Sequence, residues 1–423
     1  MEFKKYILRE LADVDISSVD KKTKEGEKPV RLCNFTDVYK NWAIRSHIYD
    51  SFMKATAKQK DIEKFSIHKG QVAITKDSET RDDIGIPTYI ADDFNDVVLG
   101  YHCALITPHR DFSGAYLNAY LNTKMAKKYF EGYASGSGQR YTLTLDSIKD
   151  IQIWAPKNKE DQDRIVKVLN DIDQKIILNT RMNAELEAMA KQLYDYWFVQ
   201  FDFPDENGEP YKSSGGKMVW NEKLKREIPE GWDVKELDDL LDFSNGINYE
   251  KNIAGDKKYR IINVRNITSS SIFINKEDLD TIMLPSKQAN NFLINEDDII
   301  IARSGTPGST RLIKNPIDII YCGFIIKGSP QDKDNKFILM YFLKQLEGTQ
   351  ATKTGGSILQ NVSQDTLKAL LMIIPPKNLV ISFNQCMDKI FESLNYNMET
   401  TNHLIHLRNS LLPMLMNGQV EIE

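Results

Sequence analysis

Two stretches of the chain place apolar residues every three or four positions over a long distance. Ile165, Leu169, Ile172, Ile176, Asn179, Asn183, Leu186, Met189 and Leu193 follow a 4-3-4-3 spacing with one departure. Phe383, Met387, Ile390, Leu394, Asn397, Thr401, Leu404, Leu407 and Leu411 repeat it. The spacing predicts two long helices, each with one apolar stripe that must be buried against another helix. Both stripes carry polar residues midway, at Asn179/Asn183 and Asn397/Thr401. Buried polar groups at matching depth set register and orientation at some cost in stability. We therefore expect the two helices to pair as an antiparallel coiled coil. Separate packing of each helix on its own domain is the alternative. Pro413 is expected to interrupt the second helix and Gly418 to cap it.

Ahead of each helix the pattern changes to short apolar runs between polar loops. Gln71–Thr75 and Tyr101–Thr107 read as strands, and Asp111–Tyr133 as a helix. The second half gives the same order: Asp298–Ala302, Tyr321–Lys327, then a helix over Lys336–Leu346. The likeness extends to residues. Gly136–Pro156 aligns with Gly355–Pro375 without a gap, and Arg31-Leu-Cys-Asn34 resembles Arg260-Ile-Ile-Asn263. A period of half the chain means two similar modules and not a solenoid of small repeats. The expected fold is α+β: two similar α/β domains in direct repeat, each followed by a long helix. The boundaries read as 1–157 for the first domain, 158–200 for its helix, 201–232 for a connector, 233–377 for the second domain and 378–423 for the second helix and tail. Turn formers and charge mark the connector. Tyr194, Tyr196, Trp197, Phe198, Phe201 and Phe203 crowd the end of the first helix. Packing against the adjoining domain is the favoured reading, with a partner interface as the sharper alternative.

Charge alters the picture through its distribution. The net charge of −5 does not advertise a nucleic-acid binder. Residues 251–377, however, carry 17 Lys/Arg against 12 Asp/Glu, and residues 201–250 carry 6 against 13. A basic second module beside an acidic connector permits a local DNA face. No 18-residue apolar run appears, and the N-terminus has no apolar signal region, so a cytoplasmic protein without a membrane span is expected. Cys33, Cys103, Cys322 and Cys386 are far apart and read as free buried thiols in a reducing compartment.

Catalytic signatures are not evident. No GxxxxGK[ST] loop or GxGxxG turn is present. Asn315-Pro316 lacks the second proline and aromatic of an adenine-methyltransferase motif and reads as a turn. His403 and His406 read as a solvated helix face. A binder is favoured over an enzyme.

Taken in order, the motifs resemble those of type I restriction–modification specificity subunits over essentially the whole chain. The carrying segments are Ile228-Pro-Glu-Gly-Trp232, Ala302-Arg-Ser-Gly-Thr-Pro-Gly308, Ile74–Thr80 with Gly100-Tyr-His102, and Leu411-Leu-Pro-Met-Leu415 with Gly418. The first module lacks its own Pro-Glu-Gly-Trp. The resemblance implies a subunit without chemistry of its own, whose two target-recognition domains read the halves of a bipartite site on double-stranded DNA. It implies two methylation subunits that bind S-adenosylmethionine and modify adenine. Restriction subunits using ATP and Mg, two where present, cut the DNA. No cofactor is expected on this chain. A scaffold that assembles partners without reading DNA, and a fused methyltransferase, are the competing readings.

Base readout needs Arg, Lys, Asn, Gln, Ser or Thr on exposed loops. The first module offers Lys76, Ser78, Thr80 and Arg81, then Gln139, Arg140 and Tyr141. The second offers Arg303, Ser304, Thr306, Ser309 and Arg311, then Lys353, Thr354, Ser357 and Gln360. Acidic neighbours Asp77, Glu79, Asp82 and Asp83 weaken the first loop, although a carboxylate can accept from cytosine N4.

Overall fold

A computed structural model describes residues 1–249, 255–347 and 362–420. The chain divides into two compact units. One comprises Met1–Leu178 with His403–Glu423, the other Asn179–Asn402. Each holds one αβ module together with parts of both long helices, Lys159–Tyr194 and Lys377–Met416.

In the first unit, strand Phe3–Ile7 pairs antiparallel with Gln152–Pro156, tying the start of the module to its end. The main sheet orders its strands Ala12–Ile16, Cys103–Pro108, Val72–Thr75, Pro87–Ile90 and Ala43–Ile44. A second sheet sets Lys28–Cys33 between Met53–Ala57, antiparallel, and Val97–Leu99, parallel. Val72–Thr75 is fully buried, as a continuous apolar run predicts for a central strand. The expected helix over 111–133 is in fact two, Gly114–Leu121 and Lys124–Tyr133. Asn122 caps the end of the first, and Thr123 caps the start of the next by accepting from the Ala126 N–H.

The second unit repeats this plan. Asp233–Glu236 pairs with Leu371–Ile374. Leu241–Asn245, Ile325–Pro330, Ile299–Ala302 and Thr310–Arg311 form one sheet. Lys257–Ile262 lies between Asp280–Leu284, antiparallel, and Ile319–Tyr321, parallel. Register confirms the sequence match. Arg31 and Arg260 occupy the same place in the two parallel pairs, and Asn34 and Asn263 each open a short helix with a capping box. The run expected as one strand over 321–327 is split by a turn at Gly323-Phe324.

The long helices pair antiparallel, and their polar belt is made as the spacing predicts. Within the second unit the Asn179 amide donates to Thr401 Oγ1 at 3.4 Å. The Asn397 amide donates to Asn183 Oδ1 at 2.9 Å, and the Asn183 amide donates to the Leu394 carbonyl at 3.2 Å. The seam differs from expectation at two places. Met189 is exposed while Ala190 is fully buried. The 4-3-4-3 rhythm therefore runs without a break through Ala190, whose small side chain makes it the less conspicuous residue. Leu407 is also exposed, and Arg408 takes the inward position. Pro413 does not interrupt the second helix, which continues to Met416. Gly418 then adopts φ +65° and its N–H donates to the Leu415 carbonyl.

The aromatic cluster at the end of the first helix packs inward. Tyr194, Trp197, Phe201 and Phe203 are buried with Trp232 and Phe383 in the second unit's core. The connector is thus part of that core, with its own hairpin, Met218–Asn221 against Arg226–Pro229. All four cysteines are free; Cys386 is exposed, against expectation.

In the first unit the Arg408 guanidinium stacks over Trp42 at 4.6 Å. Asp173 lies between Arg408, at 3.4 Å, and Arg45, at 3.6 Å. Burial pushes the Asp173 carboxyl above its ordinary value against the pull of both arginines. Replacing Asp173 by Ala leaves two largely buried guanidinium groups without a counter-ion and should cost about 3 kcal/mol of stability. Thermal unfolding measures this, and adding Arg408→Met should recover part of the loss.

Candidate nucleic-acid interface

In both modules the candidate loops leave the end of a buried central strand, Val72–Thr75 or Ile299–Ala302. The next residue is a cation, Lys76 or Arg303. Each is clamped by its backbone in the same way. Lys76 N–H donates to the His102 carbonyl (2.8 Å), and its own carbonyl accepts from Leu143 N–H (2.7 Å). Arg303 N–H donates to the Phe324 carbonyl (2.9 Å), and its carbonyl accepts from Val362 N–H (2.8 Å). Leu143 and Val362 are matched by the ungapped alignment, and the residues after them, Thr144 and Ser363, cap equivalent short helices.

Side-chain chemistry then diverges. In the first module Asp77 gathers its neighbours. Its carboxylate accepts from Lys76 Nζ at 2.7 and 2.8 Å and from Thr142 Oγ1 at 2.5 Å, and lies 2.5 Å from His102 Nδ1. Partial burial raises the Asp77 pKa, but the hydrogen bonds from Lys76, Thr142 and His102 outweigh it and hold the carboxyl below its ordinary value. Ser78 pairs with Tyr141 across a small sheet whose hairpin tip presents Gln139 and Arg140 to solvent. Thr80 is exposed and its N–H donates to Ser78 Oγ. The Arg81 guanidinium is occupied by the carbonyls of Glu131 and Gly132, at 3.0 and 3.3 Å.

In the second module, Arg303, Ser304, Thr306 and Ser309 share one tight loop. It is closed by Gly308 N–H to the Ala302 carbonyl and Ala302 N–H to the Ser309 carbonyl, with Gly305 and Gly308 at φ +76° and +84°. Positive φ at both positions is why glycine stands there. Among the described residues the Arg303 side chain has no ion-pair partner. Arg311 is different. It is only 7% exposed, pairs with Glu347 at 2.8 Å, and donates to the Ser270 and Thr310 carbonyls. Its charge is used inside the module, so it is not the free loop donor that the sequence suggested. Lys353, Thr354, Ser357 and Gln360 lie outside the described residues. Asn315 sits in a turn at φ +48°.

Sequence reasoning passed over the turn that supports each cation, Tyr101-His102 in the first module and Gly323-Phe324 in the second. His102 adopts φ +72°, and Phe324 is 62% exposed. The Gly100-Tyr-His102 segment had served only as a family marker.

A profile of the type I restriction modification DNA specificity domain matches residues 3–188 and 229–406. The chain belongs to this family. It is 26% identical over 404 residues to the type I restriction enzyme MjaIX specificity subunit of Methanocaldococcus jannaschii, covering 91% of this chain and 86% of that protein. It is 25% identical over 414 residues to the HindI specificity subunit of Haemophilus influenzae, covering 84% and 88%. The fold is similar to the crystal structure of a type I restriction–modification system S subunit from M. genitalium. The TM-score is 0.54, with 13% identity, 98% of this chain and 96% of that chain covered. No helix among the described residues is long and apolar enough to cross a membrane.

The depressed Asp77 carboxyl has a pH consequence. Its stabilising contribution is fully present above the ordinary aspartate value of 3.8 and fades as pH falls through its lower folded value. The stability gap between the wild type and Asp77→Asn should therefore close as pH falls below about 4. Chemical denaturation across that range measures it.

Proposed function

We propose that this chain is the DNA-reading subunit of a type I restriction–modification complex. Each module reads one half of a bipartite, asymmetric site, and the paired helices set the gap between the halves. Two methylation subunits carry S-adenosylmethionine and modify adenine. Restriction subunits using ATP and Mg, where the host supplies them, cut the DNA. The chain itself has no catalytic role, binds no cofactor and works in the cytoplasm.

The observation that carries this reading is the duplication of one reading element. The same strand end, with a cation clamped by the same two backbone hydrogen bonds, is built twice on one chain. A bipartite target is what two such elements suit. In the first module Gln139, Arg140 and Tyr141 act beside Lys76, Ser78 and Thr80. In the second, Arg303, Ser304, Thr306 and Ser309 act with Lys353, Thr354, Ser357 and Gln360. Phosphate contacts by the cations supply affinity, and the polar side chains supply base discrimination. Arg311 supports its loop from within, and the exposed Arg81 is held by the carbonyls of Glu131 and Gly132.

The test is co-expression with the cognate methylation subunit in a host lacking adenine methylation, followed by genome-wide mapping of methyladenine. A bipartite motif with a fixed gap, present only with this chain, is the expected result. An assembled complex that adds no methylation would point to a scaffold.

The helices give a second prediction. The first, of 36 residues, is about 54 Å long at about 1.5 Å per residue. One DNA turn is about 34 Å. Removing one heptad from each helix, in register, should change the gap and leave both half-site sequences intact. Altered half-sites with an unchanged gap would defeat the spacer role.

A further inference from the structure

The turn that supports each strand-end cation carries a ring. In the second module that ring is Phe324, whose carbonyl accepts from the Arg303 N–H and whose side chain is exposed. At 62% exposure it gains little of the stabilisation that burying an apolar ring supplies. The adjoining cation, Arg303, has no internal acidic partner among the described residues. An exposed ring fixed beside an unpaired cation matches a nucleic-acid surface: the cation suits phosphate or guanine, and the ring suits the apolar part of a base edge.

The first module places His102 at the equivalent position. A non-glycine residue at φ +72° is held in a region where glycine is the usual choice, so the side chain itself accounts for the residue. Asp77 lies 2.5 Å from His102 Nδ1. That carboxylate, as an acceptor, keeps the proton on Nδ1, which leaves Nε2 an acceptor in the neutral ring. An acceptor matches the exocyclic amino group of adenine or cytosine.

We propose that Phe324 and His102 are specificity-determining residues, one for each half-site, with Phe324 packing on a thymine methyl in the half read by the second module. This rests on the DNA-reading role proposed above and names a contact within it. Phe324 lies outside the polar loop donors on which that role was built. The two proposals therefore fail separately.

The experiment uses the assembled complex with its methylation subunits. Methyladenine mapping first defines the site; a wild-type complex that yields no bipartite motif defeats the DNA-reading role itself. Duplexes of that site are then made with each thymine of the second module's half replaced in turn by deoxyuridine, which removes only the methyl group. One replacement should weaken wild-type binding about fourfold, the worth of one buried methylene-sized group. The Phe324→Ala complex should bind more weakly overall and show no such sensitivity. Phe324→Leu, which keeps apolar bulk, should restore part of it. Ile317→Ala, at an exposed position on the same module, should behave as the wild type. A half-site without thymine, a wild type indifferent to every deoxyuridine, or a variant with undiminished sensitivity each overturns the Phe324 contact. His102→Ala should relax base preference only in the other half-site on remapping. An unchanged motif there would overturn the equivalence of the two rings.

Discussion

The antiparallel pairing of the two long helices is the constraint on which the rest of the chain depends. Neither module closes its core without them. In the first unit Ile165, Val166 and Leu169 share a cluster with Leu412, Leu415 and Met416 and with the module's own sheet residues. In the second unit Ala190, Tyr194, Phe383, Met387 and Leu394 do the same. Fully burying a Leu or Phe side chain contributes about 2 kcal/mol, so a seam of this length outweighs several polar interruptions. The interruptions have a different use. A purely apolar seam tolerates sliding by one heptad, because each apolar knob finds an equivalent hole. The Asn183–Asn397 bond does not, because a slip would bury an amide without a partner.

On this frame the duplicated modules keep their backbone and change their chemistry. The clamp on the strand-end cation is the same to within about a tenth of an ångström in both modules, and it is made only of main-chain groups. A main-chain clamp does not restrict which side chain sits at the clamped position. That is how one scaffold supports Lys76, neutralised by Asp77, in one half and, in the other, an Arg303 without an ion-pair partner among the described residues. Divergence in recognition thus needs no change of fold.

Much of this was legible in the sequence because it rests on periodicity. The helices, their polar belt, the order of strands and the module repeat all leave patterns that survive substitution of one apolar residue by another. The misreadings share a cause: they concern residues whose role is set by tertiary surroundings. Met189 looked like the better seam residue, yet the continuous 4-3-4-3 rhythm selects Ala190. Thr123 splits a helix because it is a good N-cap, a local signal hidden inside a longer apolar pattern. Arg311 read as a loop donor, but Glu347, 36 residues away in sequence, turns it inward. No spacing rule could join those two charges.

The same reasoning explains why the supporting turns were overlooked. Loop residues were chosen for hydrogen-bonding capacity, which selects Arg, Lys, Gln, Ser and Thr. Phe324 has none, and His102 stood inside a segment valued only as a marker. Their significance depends on exposure and φ, and neither is written in residue type. An apolar side chain that folding leaves in solvent, on a turn held by the backbone of a candidate contact, is informative because burial would have favoured another arrangement. In a protein whose task is to distinguish one base sequence from another, apolar contacts discriminate as well as polar ones, since the thymine methyl is the one apolar feature on the major-groove edge of the base pairs. On the proposed reading, the contacts are divided between donors that the sequence makes visible and rings that only the fold brings to the surface.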